Sequence, residues 1–227
     1  MVGKELIKLE EDYTDILKNN MFIIKSKYTK LEDIFKEYPN AVVFDVTSKG
    51  SLKKLSPFYP HGEIPVFGSG EYNEGLGLIE HNFKYYSASV EGVWQGMKVF
   101  EHEGIKPSCF TNTSMRGLKR KGKCLGHYYQ GKLIGYKQAR YLIYEPAYYY
   151  MLQYYNGRDL HYLGYLSEKG VVVLLDYNTN RDIEDISSPL SHASLIIEHI
   201  EYRNLSEKPP HEWLIKHAIT NETFKRI

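Results

Sequence analysis

Two runs of aliphatic and β-branched residues do most to limit the folds open to this chain. Ala41-Val42-Val43-Phe44-Asp45-Val46 is followed by a turn-forming segment, and Val171 to Leu175 follows Gly170. Each run has the length and composition of a buried strand. Several other segments have helix-like spacing of apolar residues. The combination predicts an α+β fold.

Helices are expected before, between and after these two strands along the sequence. Residues 4–38 carry apolar side chains at helical spacing, and Pro39 ends that region. Further helices are expected at 88–101, Met115 to Lys121, 133–155 with a break or kink at Pro146, 189–200 and 213–224. We therefore predict a mostly helical single domain with a small sheet. This domain is expected to cover residues 41–204. A helical extension at 1–40 precedes it, and a helical tail at 205–227 follows it.

Composition excludes several classes of protein. No apolar run has the length needed to cross a bilayer, and the first residues do not form a signal peptide. Cys109 and Cys124 are the two cysteines, and no Cys/His spacing matches a metal site. The sequence predicts a cytoplasmic protein without metal, cofactor or membrane partner, and it leaves the oligomeric state open.

The middle of the chain is strongly basic although the net charge is only +1. Between residues 98 and 140 the acidic residues are Glu101 and Glu103, against ten cations: Lys98, Lys106, Arg116, Lys119, Arg120, Lys121, Lys123, Lys132, Lys137 and Arg140. Such a segment favours phosphates or nucleic acid through its summed field. A solvated basic loop is the alternative.

The segment 89–98 places three different polar groups on one helical stripe. Glu91, Gln95 and Lys98 follow the i, i+4, i+7 spacing, so a carboxylate, an amide and an ammonium share a face that meets solvent or lines a cleft. Gly92 and Gly96 each cost a helix about 1 kcal/mol relative to alanine. We therefore expect another group to approach the backbone closely there.

Several short motifs resemble the NADAR/YbiA-like family. They are Leu55-Ser56-Pro57-Phe58-Tyr59-Pro60, Ser89-Val90-Glu91, and Trp94-Gln95 followed by Lys98. Tyr136 and Arg140 stand where that family often has Trp and a basic residue. The 171–175 strand then leads to an acidic loop. Pro57 and Gly92 depart from the family pattern, and its late Trp-Gly signature is absent.

The resemblance implies cleavage of the N-glycosidic bond of a phosphorylated ribose or ADP-ribose conjugate, in which the sugar carries a nucleobase or belongs to a riboflavin-pathway intermediate such as an aminopyrimidine ribose-phosphate. Breaking a ribose C–N bond builds positive charge on the sugar, which a nearby carboxylate stabilises. Glu91 is the candidate for that role, and Asp182 is the candidate second carboxylate, with Asp185 as the alternative. A helix-dipole role for Glu91 and capping or turn roles for the aspartates explain these residues as well.

The other candidate residues would bind substrate. Phe58 and Trp94 could stack on a base, Gln95 could bind ribose hydroxyls, and Tyr136 is implied by the resemblance. Phosphate could be bound by Lys98, Arg116, Lys119 and Arg120. Burial of Phe58 or Trp94 in the core is the alternative for the aromatic residues, and a solvated face is the alternative for Gln95 and Lys98. The competing function is a non-catalytic module that binds a nucleotide-sugar or nucleic acid.

Overall fold

The computed structural model describes residues 21–70, 83–114, 116–203, 205, 219–221 and 225. Its strands are β1 (Phe22–Ser26), β2 (Val42–Asp45), β3 (Ile64–Pro65), β4 (Tyr86–Ser87), β5 (Lys98–Phe100), β6 (Cys124–Tyr129), β7 (Lys132–Ile134), β8 (Val172–Asp176) and β9 (Ile219–Thr220). Its α-helices are α1 (Leu31–Glu37), α2 (Val90–Gly96), α3 (Tyr136–Ala139), α4 (Glu145–Tyr155), α5 (Gly157–Ser167) and α6 (His192–Arg203). A π-helical segment, Arg140–Tyr144, joins α3 to α4. Short 3₁₀ helices cover Lys53–Leu55 and Pro107–Cys109.

A four-stranded sheet organises the fold, in the order β1-β8-β2-β9. The central strand β8 is parallel to both β1 and β2, whereas β9 is antiparallel to β2. The carboxyl ends of the three parallel strands therefore meet at one edge of the sheet. Open sheets of this kind bind ligands at that edge.

Alternate residues of β8 face two separate cores. Val172 and Leu174 belong to the main core with the helices α2, α4, α5 and α6. Val173 and Leu175 pack with Ile34 of α1 on the opposite face. A strand covered on both faces is apolar throughout. This burial explains why both predicted strands are confirmed.

The prediction that both terminal parts of the chain are helical needs correction. Residues 22–26 form β1, which pairs with β8. Residues 219–220 form β9, which pairs with β2. Apolar spacing alone could not reveal strand partners that lie 150 residues or more away in the chain. The remainder of the 1–40 prediction before residue 21, and most of the 205–227 tail, lie outside the described residues.

Three internal helices also differ from expectation. The 88–101 helix ends at Gly96, and Lys98 begins β5, so the polar stripe continues onto a strand. Residues 116–121 are not helical, and Met115 lies outside the described residues. The 133–155 helix forms from Tyr136 onward, and Pro146 follows a π-helical turn. The molecule thus combines helices and small sheets in a single α+β domain.

Candidate functional site

A cavity of about 560 Å³ opens at the carboxyl edge of the parallel strands. Its walls come from the segments after β2 and β8, from α2 and β5, from the 119–120 loop and from the α3–α4 helix. Five aromatic side chains line it: Phe58, Trp94, Tyr136, Tyr144 and Tyr177. This volume and an aromatic lining with a few polar groups are typical of small-molecule sites.

The first turn of α2 fixes one wall of the cavity. The Ser89 hydroxyl caps the helix by accepting a hydrogen bond from the backbone N–H of Gly92 at 3.0 Å. The backbone N–H of Glu91 donates to the carbonyl of Pro57 at 2.8 Å. This bond ties the loop that carries Phe58 to the helix that carries Glu91, so the two side chains enter the cavity together.

The two glycines of α2 are explained by packing within the protein. A Cβ on Gly92 would lie 2.4 Å from the Ser87 hydroxyl oxygen, and one on Gly96 would lie 2.1 Å from the Phe110 ring. The expected close approach to the backbone is therefore present. It comes from Ser87 and Phe110.

Glu91 is a buried carboxylate on the cavity wall, with only 7% of its surface exposed. Its Oε1 accepts a hydrogen bond from Gln95 Nε2 at 2.8 Å. Within the described part of the chain its Oε2 accepts none. Burial raises the pKa of Glu91 above its usual value, and the Gln95 hydrogen bond and the charges of Lys98 and Lys119 oppose that rise.

Gln95 connects the carboxylate to two donors. Its Oε1 accepts from Lys98 Nζ at 3.2 Å and from the backbone N–H of Arg120 at 3.5 Å. Because Oε1 faces these donors, Nε2 is turned toward Glu91. Burial lowers the pKa of Lys98, while Glu91 raises it. Gln95 thus orients Glu91, a role that the sequence-based expectation of ribose binding did not include.

Arg120 and Arg140 line the cavity, but their guanidinium groups are occupied by protein carbonyls. Arg120 donates to the Lys98 carbonyl at 2.6 Å and pairs with Glu103 at 2.8 Å. Arg140 donates to three backbone carbonyls of the acidic loop that follows β8, those of Ile183, Asp185 and Ser188. Both arginines therefore fix loops around the cavity. Arg120 is less available for phosphate than the sequence suggested.

The remaining predicted cations separate into two groups. Lys98 and Lys119 line the cavity. Arg116 is exposed and does not line it, and its carbonyl accepts from Asn112 and Ser114. The structure thus places Arg116 on an irregular, exposed loop outside the cavity, and a phosphate contact at this residue stays a prediction.

The predicted second carboxylate does not reach the cavity. Asp182 is exposed, and its Oδ1 accepts from the backbone N–H of Glu184. Asp185, the alternative, accepts from the N–H of Ser187. Both side chains form local turns. The carboxylate that the structure brings to the cavity with Glu91 is Asp176, at the end of β8.

Asp176 is fully buried, and its oxygens are already engaged. They accept from the N–H of Tyr177 at 2.6 Å, the Ser191 hydroxyl at 2.6 Å and the N–H of Ala193 at 3.2 Å. His192 Nδ1 lies 3.1 Å from the carboxylate. His192 Nε2 lies 3.0 Å from the Val46 carbonyl, which can only accept. Asp176 thus attaches the first turn of α6 to the sheet and leaves Glu91 as the available carboxylate.

Trp94 serves both the core and the cavity. It is 7% exposed and lines the cavity, while its ring packs against His127 at a centroid distance of 4.0 Å. Tyr136 and Tyr144 approach it edge-on at 5.3 and 5.4 Å. The two interpretations of Trp94, core and ligand wall, therefore both apply.

Sequence reasoning missed several lining residues, among them Tyr144, Asp176 and His192. A signal was present for Asp176, because it follows a buried strand at the edge where parallel strands end. Tyr144 carried a weaker signal, because it continues the spacing of four residues that separates Tyr136 from Arg140. His192 carried no metal-ligand pattern that would have distinguished it.

A model of a family of unknown function (DUF6939) matches residues 26–196. The chain belongs to this family. The matched range contains every cavity residue named above, so the family extends over the whole candidate site. No curated protein and no solved structure matches the chain.

Two further findings concern only the described residues of this DUF6939 member. No three or more His, Cys, Asp or Glu side chains are grouped there in a way that could hold a metal ion. No helix among them has the length and apolar character needed to span a membrane.

Proposed function

We propose that this protein is an N-glycosidase that hydrolyses the bond between ribose and a nitrogenous base in a phosphorylated or ADP-ribose-bearing conjugate. One observation carries the proposal: a buried carboxylate, Glu91, has one oxygen available toward a cavity with an aromatic wall and two lysines. The NADAR/YbiA-like motifs include this carboxylate and agree with the same chemistry.

Glu91 would stabilise the sugar as the bond breaks. The electron pair of the C–N bond leaves with the base, and positive charge develops on C1 and the ring oxygen. A carboxylate in a water-poor site stabilises that charge more strongly than one in bulk solvent. Attack of water forms the new C–O bond, and Glu91 accepts the proton that the water loses.

The positions of the charged side chains indicate how a substrate would be oriented in the cavity. Lys98 and Lys119 lie on the Glu91 side of the cavity and would bind a phosphate near the sugar. The start of α6 already holds the Asp176 carboxylate and does not favour a second anion. An uncharged base would lie among Phe58, Trp94 and Tyr136, where aromatic faces favour stacking.

The test is release of base from two probes, an aminopyrimidine ribose-phosphate and ADP-ribosylated guanosine. We expect turnover of at least one by the wild-type chain and a loss of about 10²-fold or more in Glu91→Gln, since the carboxylate acts on the transition state. Glu101→Gln is the matched control, because Glu101 is exposed and pairs with Lys123 outside the cavity. Absence of base release, or full activity of Glu91→Gln, would refute the proposal.

The alternative is a module that binds a nucleotide-sugar or nucleic acid without cleaving it. The observation favouring it is that Asp176, the second cavity carboxylate, is fully engaged in structural hydrogen bonds. Arg116 and Lys121 are also exposed on the basic loop. Calorimetric binding of ADP-ribose without product would support the nucleotide-sugar form. Strongly salt-dependent binding of DNA without preference for ADP-ribose would support the nucleic-acid form.

A further inference from the structure

Tyr144 occupies an unusual helical position beside the candidate catalytic carboxylate. It ends the π-helical segment between α3 and α4, where the backbone N–H of Glu145 donates to the carbonyl of Arg140, five residues earlier. Pro146 comes next and has no N–H for a regular i−4 bond. A π-helical turn rotates the chain less per residue than an α-helical turn, so residues four apart lie more nearly above one another. Tyr144 therefore stays on the cavity side with Tyr136 and Arg140.

The Tyr144 ring is held by its neighbours before any ligand binds. It packs edge-on against Trp94 at 5.4 Å and stacks on Tyr148 at 6.0 Å. Tyr148 is itself fixed, because its hydroxyl donates to the Leu55 carbonyl at 2.6 Å. The direction of the Tyr144 hydroxyl is thus set by the core.

Three tyrosines close to Tyr144 on the same helical stretch use their hydroxyls in hydrogen bonds within the protein. The hydroxyls of Tyr141, Tyr148 and Tyr149 donate to Glu184, Leu55 and Glu198 respectively. Among the described residues, the Tyr144 hydroxyl has no hydrogen-bond partner, although its side chain lines the cavity. A phenol placed in this way is available to a ligand or to water.

The electrostatic surroundings keep this hydroxyl protonated. Burial raises the pKa of Tyr144 well above its usual value, and the charges of Glu91 and Asp176 add to the rise. The phenol therefore stays protonated at neutral pH and can donate a hydrogen bond. Glu91 Oε2, by contrast, is an acceptor without a partner in the described part of the chain. A donor and an acceptor thus face the same cavity.

We propose that Tyr144 is a further catalytic residue of this site, whose hydroxyl donates a hydrogen bond to the water that Glu91 directs at the anomeric carbon. This role rests on the proposed glycosidase function. The attacking water uses one lone pair to form the bond to C1 and accepts from Tyr144 with the other. It donates one proton to Glu91 Oε2 and keeps the other on the new C1 hydroxyl, while the electron pair of the C–N bond leaves with the base. The base then takes a proton from solvent, and Glu91 returns its proton to solvent.

Tyr144→Phe tests this role, because it removes the hydroxyl and keeps the ring that packs on Trp94 and Tyr148. Tyr141→Phe is the matched control, since Tyr141 lies one turn away and bonds Glu184 outside the cavity. With the aminopyrimidine ribose-phosphate and ADP-ribosylated guanosine as probes, we expect kcat of Tyr144→Phe to fall about 10²-fold. KM and the thermal unfolding midpoint should stay near wild type, and Tyr141→Phe should retain full activity.

The outcomes distinguish the two proposals. If the wild-type chain releases base and Tyr144→Phe retains its kcat, the Tyr144 role is wrong and the glycosidase function stands. A raised KM at unchanged kcat also overturns the role, because the hydroxyl then binds the substrate ground state. If the wild-type chain releases no base from either probe, both proposals are wrong.

Discussion

Gln95 Nε2 lies 2.8 Å from Glu91 Oε1, and this hydrogen bond joins two buried side chains one helical turn apart. It favours the charged form of Glu91 against the opposing effect of burial. These two effects, together with the charges of Lys98 and Lys119, set the pH at which the carboxylate is available for chemistry.

The acid limb of the activity profile should therefore report Glu91. Since the anion is the active form, kcat/KM should fall as pH falls through the raised pKa of Glu91, above the ordinary value of 4.5. Gln95→Met removes the donor and should move this limb to higher pH. Gln153→Met, which alters an exposed glutamine bonded to Arg203, should leave the limb in place. An unshifted limb in Gln95→Met would show that the hydrogen bond does not tune Glu91.

Stability should change in the opposite direction to activity. The folded chain binds the Glu91 proton more tightly than the unfolded chain, so the free energy of unfolding falls as pH rises from about 4.5 through the raised pKa. Each pKa unit corresponds to about 1.4 kcal/mol. Glu91→Gln should remove this decline and unfold at higher denaturant concentration than wild type at pH 7. Destabilisation by Glu91→Gln at pH 7 would contradict the assignment.

The two aspartates that follow β8 should behave differently. Asp176→Ala removes the acceptor of three donors and the partner of His192, and should cost about 3–5 kcal/mol in unfolding experiments. Asp182→Ala should leave both stability and base release unchanged, because Asp182 is exposed and outside the cavity. Loss of base release in a folded Asp182→Ala variant would restore it as the second carboxylate.

Lys119 should contribute to phosphate binding and Arg116 should not. Lys119→Ala is expected to raise KM about tenfold for the aminopyrimidine ribose-phosphate, the size of a lost charged hydrogen bond of about 1.5 kcal/mol. The same variant should leave KM unchanged for the dephosphorylated riboside. Arg116→Ala should match wild type on both substrates. Equal effects of the two variants would indicate a diffuse basic surface instead of a phosphate site.

His127 should make the fold sensitive to acid. Burial lowers its pKa to about 3, and the positive charge of Lys98 contributes. The unfolded chain binds this proton more tightly, so the free energy of unfolding should fall as pH falls from about 6.5 toward 3. His127→Phe keeps a ring against Trp94 and should flatten that dependence, as measured by denaturant titration. His102→Phe, at an exposed position, should retain the wild-type slope.

The sequence by itself determined the two buried strands, because a run such as Val171 to Leu175 is apolar on both of its faces. It also suggested a shared site for eight residues that line one cavity in the structure: Phe58, Glu91, Trp94, Gln95, Lys98, Lys119, Arg120 and Tyr136. Helical spacing and short motifs indicated six of these residues, and the charge of the basic segment indicated Lys119 and Arg120. Most of them lie on two short segments, 55–60 and 89–98.

Only the tertiary structure decided which carboxylate joins Glu91 and which cations are available. Asp176 reaches the cavity because β8 ends at the edge shared with β1 and β2, whereas Asp182 bonds its own turn. Arg120 is occupied by the Lys98 carbonyl and by Glu103, which a sequence cannot show. Strand pairing, burial and competition for hydrogen bonds are long-range properties. They arise only when distant segments pack together.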